Sequence, residues 1–216
     1  RNRKAKRSGG PLYEPLYTME HAEAAIRLLS PCDYDQKIEL CEGIEVRFTD
    51  VGHLLGSAAI EIWITEDGIS RKIVFSGDVG NLNQPIIRDP GHVEEADYVV
   101  VESTYGTRLH GDERPDYIGE FTRIMRETFA KGGNVVVPSF AVGRTQELLY
   151  FIREIKERNL LPEYPGFEVY VDSPLAIEAT EVFNKNVKSC FDEEAMALVE
   201  KGINPLIFPG LKTTIT

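Results

Sequence analysis

The chain has 216 residues, of which 42% are hydrophobic and 27% are charged. This composition excludes collagen-like, disordered and disulfide-scaffold classes, and it predicts a globular chain with one large domain or two small ones. No apolar run approaches the roughly 18 residues that a membrane-spanning helix needs, and no apolar segment follows the first charges as in a signal peptide. The three cysteines form no closely spaced pair, so we expect a reducing, cytoplasmic location.

Charge is distributed unevenly along the chain, whose net charge is −11. Five of the first seven residues are basic, whereas the remaining 209 residues carry 19 basic and 35 acidic side chains. An acidic body repels phosphates, so composition alone argues against a nucleic-acid partner unless metal ions or local basic groups offset the charge. We interpret the basic run at residues 1–7 as a solvated terminal segment.

The first half of the chain is predicted to be mostly β-structure. Thr18 is expected to cap a short amphipathic helix that ends before Pro31. Apolar and polar residues alternate over residues 44–49 and 60–65, which predicts two half-buried strands. The turn residues at 66–68 predict a hairpin into the next strand, RKIVFSGD, and ADYVVVES forms a further strand.

Beyond Tyr105, helices and strands are predicted to alternate. The order is a helix over about 116–131, the strand NVVVPSF, a helix over 144–158, the strand EVYVDS and a helix over 175–186. This alternation is typical of a parallel sheet with crossover helices. Charged residues, glycine and proline cluster at 110–115, and we therefore place a domain boundary between residues 1–110 and 111–216.

Three loops at strand ends carry residues of the types that bind metals. His53 lies in GHLLGS, Asp78 in SGDVGN and Glu102 in ESTYG. Neighbouring glycines allow sharp turns, and imidazole and carboxylate groups are the donors that divalent metals take. The alternative is a hydrogen-bonded turn histidine and two acids that cap turns or helices. Spacing alone leaves both interpretations open.

Five segments occur in a fixed order, namely TDVGHLLGSA, VFSGDVGN, VVVESTYGTRLH, GGNVVVPSFAVGRTQELL and VYVDSPLAIEAT. Together they resemble the β-CASP family of RNA-processing nucleases in the metallo-β-lactamase superfamily. The resemblance implies an α/β fold, with a partial metallo-β-lactamase αββα sandwich over 1–110 and part of a parallel-sheet α/β β-CASP domain over 111–216. It also implies that His53 and Asp78 are metal ligands, that Asp78 bridges two zinc ions, and that Asp78 and Glu102 are catalytic.

The sequence also departs from the family pattern. The signature HxHxDH does not occur, since the four histidines are His21, His53, His92 and His110. The later β-CASP histidine motifs are missing as well. We therefore expect this chain to be an internal piece of a longer enzyme and to be inactive by itself. His110 follows ESTYGTR closely enough to face a substrate cleft.

A second candidate site is the predicted start of the helix at Arg144. The candidates for substrate binding are Ser139, Gly143, Arg144 and Thr145, which lie between an apolar strand and this helix. Free amide groups at a helix N-terminus and a guanidinium both favour phosphate, so we expect an RNA phosphate to bind here. The alternative is an ordinary helix cap with a solvent-exposed arginine.

The function that the resemblance implies is zinc-dependent hydrolysis of single-stranded RNA, by endonuclease or 5′-exonuclease cleavage, in RNA processing or decay. Two zinc ions lower the pKa of a bridging water and neutralise phosphodiester oxygens. Two alternatives stay open: a catalytically inactive scaffold paralogue of an RNA-processing complex, and a metallohydrolase for a small thioester or lactam. We expect no membrane partner, and a homodimer stays open.

Overall fold

The computed structural model describes residues 6–11, 13–109 and 115–214. The chain divides into two units, residues 1–33 and residues 34–216. Three features of the sequence analysis lie wholly or mostly outside the described residues. They are the basic run at residues 1–7, the candidate His110 and the predicted boundary at 110–115, of which residue 115 is described. The boundary therefore stays a prediction. No helix in the described ranges is long and apolar enough to cross a membrane.

The first unit contains the predicted N-terminal helix, α1 (Met19–Ile26). The hydroxyl of Thr18 accepts a hydrogen bond from the amide of His21, and the amide of Thr18 donates to His21 Nδ1. This reciprocal pair is a capping box, which satisfies two amide groups that a helix start leaves unpaired. The predicted helix is confirmed, but α1 buries none of its residues.

The second unit begins with a five-stranded sheet. Its strands are β1 (Ile38–Cys41), β2 (Ile44–Asp50), β3 (Ala58–Glu66), β4 (Ile69–Phe75) and β5 (Tyr98–Val100), and their spatial order is the same as their chain order. The first four strands pair antiparallel, and β5 pairs parallel to β4. Glu66 pairs with Ile69, which leaves a two-residue turn at Asp67 and Gly68. The predicted strands and hairpin are confirmed.

A buried ion cluster lies on one face of this sheet. Glu61 of β3 has no exposed surface, and its two carboxylate oxygens accept hydrogen bonds of 2.7 and 2.9 Å from the guanidinium of Arg47. Lys72 Nζ lies 2.5 Å from the same carboxylate, and the Thr49 hydroxyl donates to it at 2.8 Å. Burial by itself raises the pKa of Glu61, but hydrogen bonds from Arg47, Lys72 and Thr49 outweigh burial and lower this pKa to about 2.

Helices dominate the second half of the chain. The elements are α2 (Tyr117–Phe129), α3 (Arg144–Glu157), β6 (Val169–Val171), α4 (Pro174–Lys185), α5 (Val187–Cys190), α6 (Glu193–Glu200) and β7 (Leu211–Thr213). The three predicted helices are confirmed as α2, α3 and α4. The α/β class is confirmed as well, and β6 pairs parallel with β7. Our sequence analysis missed α5 and α6, although Asp192 caps α6 ahead of two glutamates in its first turn, a recognisable helix-start signal.

The predicted strand NVVVPSF at residues 134–140 is wrong. These residues form no strand in the described part of the chain, and Val136 and Phe140 are 87% and 85% exposed. The apolar run predicted a buried strand, but a strand also needs a neighbour that accepts its backbone hydrogen bonds. Among the described residues of the second half, parallel pairing occurs between β6 and β7 alone; the other parallel pair, β4 with β5, belongs to the first sheet.

The loop after β4 joins the sheet to the helices through a shared core. Ile86 and Ile87 pack in one buried cluster with Leu149 of α3 and Phe183 of α4. The Arg88 guanidinium donates to two backbone oxygens near the end of α5, those of Lys188 at 3.1 Å and Phe191 at 3.4 Å. This core positions the first turn of α3 against the loops that follow β2 and β4.

Candidate active site

His53 lies in the loop between β2 and β3. The hydroxyl of Ser57 accepts hydrogen bonds from the amides of His53 at 3.1 Å and Leu54 at 3.2 Å, and the Ser57 amide donates to Leu54 O at 3.0 Å. Ser57, the last residue of GHLLGS, therefore stabilises the turn through hydrogen bonds of its hydroxyl and its amide. The backbone of His53 is fixed by these bonds, while its side chain is exposed.

Asp78 lies in the loop after β4, which packs directly on the His53 loop. The Gly80 amide donates to Val51 O at 2.8 Å. A Cβ added to Gly80 would lie 1.9 Å from Gly52 O and 2.7 Å from the His53 amide nitrogen. Only glycine allows this approach, because any side chain would overlap the neighbouring backbone. The exposed Asp78 side chain and His53 are thus carried by two touching loops.

Glu102 follows β5 and ties the ESTYG loop to the Asp78 loop. Its carboxylate accepts hydrogen bonds from the Thr104 hydroxyl at 2.7 Å and from the Val79 amide at 2.9 Å. Its own amide donates to the Ser76 hydroxyl at 3.0 Å. The hydrogen bonds from Thr104 and Val79, with the charge of His53, lower the pKa of Glu102 below its ordinary value. Glu102 is therefore an ionised acceptor that fixes the residue next to Asp78.

The three predicted loops converge, but they do not form a complete metal site within the described ranges. Backbone bonds join the His53 loop to the Asp78 loop, and the Glu102 carboxylate joins the Asp78 loop to the third. In residues 6–11, 13–109 and 115–214, no group of three or more His, Cys, Asp and Glu side chains is placed to hold a metal ion. The individual roles of His53, Asp78 and Glu102 stay predictions.

The start of α3 lies beside the His53 loop, a contact that the sequence did not reveal. Gly143 caps α3 with a φ of 82°, and a Cβ on it would lie 2.4 Å from Leu54 Cδ2. A small depression with a free volume of about 10 Å³ lies between the two segments, and its lining includes His53, Leu54, Gly143 and Glu147. That volume is at the lower limit for a single water molecule. Packing therefore sets the distance between the two predicted sites.

The amide groups at the start of α3 differ from our expectation of free donors. The Gly143 amide donates to Gln146 Oε1 at 2.7 Å, and the Arg144 and Thr145 amides donate to Val142 O and Phe140 O, both at 3.2 Å. An anion would have to displace these hydrogen bonds, so the three amides are not free to bind phosphate.

The hydroxyl groups of this candidate site are also bonded within the chain. Ser139 Oγ lies 2.9 Å from Thr145 Oγ1, and the buried Thr145 hydroxyl donates to Phe140 O at 2.7 Å. These bonds hold the turn that precedes α3. Ser139 and Thr145 thus support the site's shape, and Arg144 is the member of the predicted set that presents charge to solvent.

Arg144 is paired with a residue that the sequence analysis missed. Its Nη1 lies 2.5 Å from Glu147 Oε2, and the two side chains are 64% and 17% exposed. Burial raises the pKa of Glu147, and the charge of Arg144 acts in the opposite direction. The spacing of three residues on a helix was the available signal, because such side chains are neighbours on one face.

Comparison with known proteins finds relatives over most of the chain. Residues 145–216 match the Beta-Casp domain family. A ribonuclease of Thermus thermophilus is 36% identical over 199 residues, covering 92% of this chain and 43% of that protein. An RNase J-like protein of Methanocaldococcus jannaschii is 30% identical over 191 residues, covering 88% and 43%. Cleavage and polyadenylation specificity factor 73 of Drosophila melanogaster is 28% identical over 194 residues, covering 89% and 27%.

Residues 145–216 therefore belong to the Beta-Casp domain family, and most of the chain is similar to a ribonuclease and to an RNase J-like protein. The chain spans less than half the length of each of these three relatives.

Proposed function

We propose that this chain forms part of a zinc-dependent ribonuclease that hydrolyses phosphodiester bonds in single-stranded RNA, by endonuclease or 5′-exonuclease cleavage. The observation that carries the proposal is the direct contact between the His53 and Asp78 loops, made by the Gly80 amide and Val51 O at 2.8 Å. This contact keeps an exposed imidazole and an exposed carboxylate on adjacent backbones. The names of the similar proteins, among them a ribonuclease and an RNase J-like protein, support RNA as the substrate.

The donor chemistry of these loops fits zinc. Zinc takes imidazole nitrogen and carboxylate oxygen, and a catalytic zinc uses three protein ligands and a water. His53 and Asp78 would supply one donor of each type, and we propose that an HxHxDH segment elsewhere in the full protein supplies the rest of a two-ion centre. Bound zinc provides hydroxide near neutral pH and neutralises charge on the phosphodiester.

The remaining residues of this chain have positioning and binding roles in the proposal. Glu102, predicted to be catalytic, holds the Asp78 loop through the Val79 amide and so contributes to catalysis by orienting the carboxylate of Asp78. Arg144 binds an RNA phosphate through its guanidinium, which is 64% exposed and whose planar set of donors suits phosphate oxygens. The Leu54 contact keeps Arg144 close to the metal-binding loops.

The test uses the full protein that contains this chain, with labelled single-stranded RNAs of several sequences. We expect cleavage that a chelator abolishes and zinc restores. Asp78→Asn should abolish cleavage while RNA binding persists. The matched control is Asp97→Asn, which makes the same charge change at a carboxylate that pairs with Arg71 at 3.0 Å and should keep the activity.

Two results would replace this proposal. RNA binding without cleavage under any divalent metal would indicate a catalytically inactive scaffold protein. Hydrolysis of a small thioester or lactam without cleavage of RNA would indicate a small-molecule metallohydrolase.

A further inference from the structure

The ESTYG loop carries an exposed aromatic side chain beside an exposed arginine. Tyr105 is 68% exposed, and the guanidinium of Arg108 lies 5.3 Å from the centre of its ring. This distance is within the range of a cation–π contact. With 68% of the residue exposed, the ring remains accessible to a flat ligand in spite of this contact.

Two successive turns fix the backbone of Tyr105. The Gly106 amide donates to Ser103 O at 3.1 Å, and the Arg108 amide donates to Tyr105 O at 2.8 Å. The second bond also holds Arg108 beside the residue whose ring it contacts. The aromatic ring and the guanidinium are therefore presented together by one ordered loop.

The position of this loop places Tyr105 near the proposed metal-binding residues. Tyr105 is three residues beyond Glu102, and three residues of chain span at most about 11 Å. The carboxylate of Glu102 accepts a hydrogen bond at 2.9 Å from the amide of Val79, the residue next to Asp78. A ligand on the Tyr105 ring would therefore lie close to the point of cleavage in the proposed ribonuclease.

A second tyrosine–cation pair shows what distinguishes this one. Tyr170 is 56% exposed, and Lys212 Nζ lies 5.6 Å from the centre of its ring. Glu168 pairs with Lys212 at 2.5 Å and accepts a hydrogen bond from the Tyr170 hydroxyl at 2.5 Å, so a carboxylate offsets the positive charge there. Arg108, by contrast, belongs to no ion pair in the described part of the chain. The Tyr105 pair thus joins an accessible ring to a cation that no described carboxylate neutralises.

We propose that Tyr105 stacks on one unpaired RNA base near the cleaved bond, while Arg108 binds the adjoining phosphate. This inference rests on the proposed ribonuclease function and adds to it the way in which a base is held. All four bases have a π-face, so such a contact tolerates any sequence. It needs a base that is free of a duplex, and it therefore favours single-stranded RNA.

The test uses the full protein and a single-stranded RNA that it cleaves at one bond, together with a series in which each nucleotide in turn is abasic. Binding is measured by fluorescence anisotropy in an Asp78→Asn background, so that cleavage does not change the probe. One abasic position should weaken binding about tenfold, which is within the usual contribution of a stacked base. Tyr105→Leu should weaken binding of the intact RNA by about the same factor and should abolish the sensitivity to that position.

Three further variants separate stacking from a structural role. Tyr105→Trp should keep both the affinity and the sensitivity to the abasic position, because tryptophan offers a large aromatic face. Tyr170→Leu is the matched control and should leave RNA binding unchanged. Arg108→Gln should reduce the salt slope by about 0.7, as expected for the loss of one phosphate contact.

Two results would refute the stacking role of Tyr105. The first is unchanged affinity of Tyr105→Leu for the intact RNA. The second is a loss of affinity that is equal for the intact RNA and for every abasic RNA, since it would show that Tyr105 only maintains the loop. The proposed ribonuclease function fails on a different result, namely wild-type protein that binds RNA and cleaves none.

Discussion

The buried carboxylate of Glu61 gives a quantitative prediction about stability. Its hydrogen bonds lower the pKa from the ordinary 4.5 to about 2 in the folded chain. A lowered pKa in the folded state means that the ionised form stabilises the fold above the unfolded pKa, and that this stability is lost as the pH falls toward the folded pKa. The shift corresponds to about 3 kcal/mol at neutral pH.

Glu61→Gln should remove most of this stabilisation at pH 7. The substitution leaves Arg47 and Lys72 without their carboxylate, and breaking a buried pair costs about 3–5 kcal/mol. Arg47 is 35% exposed and Lys72 is 15% exposed, so partial solvation should bring the loss to about 3 kcal/mol. At pH 3 the difference between wild type and variant should shrink to roughly 1 kcal/mol, because the unfolded carboxyl group is then almost fully protonated while the folded one is still mostly ionised.

The assay is urea unfolding of wild type and variant across this pH range. Glu45→Gln is the matched control on the neighbouring strand, because its pair with Lys37 is exposed on both sides, at 43% and 44%. Exposed pairs contribute about 0–1 kcal/mol, so the control should change stability little. If Glu61→Gln cost the same at pH 7 and pH 3, the account of its pKa would be refuted.

Two further tests concern the candidate site. Gly80→Ala should force the His53 and Asp78 loops apart and destabilise the chain by roughly 1–3 kcal/mol in urea unfolding, whereas Gly106→Ala, whose Cβ would meet its nearest atom at 3.4 Å, should not. Arg144→Ala should weaken single-stranded RNA binding by the full protein at every sequence and reduce the salt slope by about 0.7 in anisotropy titrations. Glu147→Gln should strengthen this binding by releasing Arg144. Weaker binding would instead show that Glu147 positions the guanidinium.

The parts of the fold that sequence reasoning predicted are those that local patterns determine. Strands β2 and β3 follow from the alternation of apolar residues, and α1 follows from the Thr18 cap. The segment at residues 134–140 shows the limit of this reasoning. Its apolar run satisfies the local criterion for a strand, but pairing depends on residues distant in the chain. Local sequence therefore predicts the tendency to form a strand and not the sheet that it joins.

The candidate site divides in the same way. Glycines at strand ends indicated the His53 and Asp78 loops, and the structure brings these loops together through Gly80. The sequence spacing indicated neither the internal bonds of the amides at the start of α3 nor the half-buried position of Glu147. Both depend on how α3 packs against the sheet loops, which is a tertiary property.

The contact between Leu54 and Gly143 explains how two distant motifs can serve one reaction. Leu54 follows the proposed ligand His53, and Gly143 precedes the proposed phosphate-binding Arg144. Since Ile86 and Ile87 hold the same region of α3 through the shared core, a shift of α3 would disturb buried packing as well as this contact. A phosphate bound at Arg144 would therefore lie at a separation from the His53 loop that packing fixes, and catalysis depends on such fixed geometry. In the proposed ribonuclease, the apolar residues between the motifs would therefore determine where the RNA backbone meets the metal.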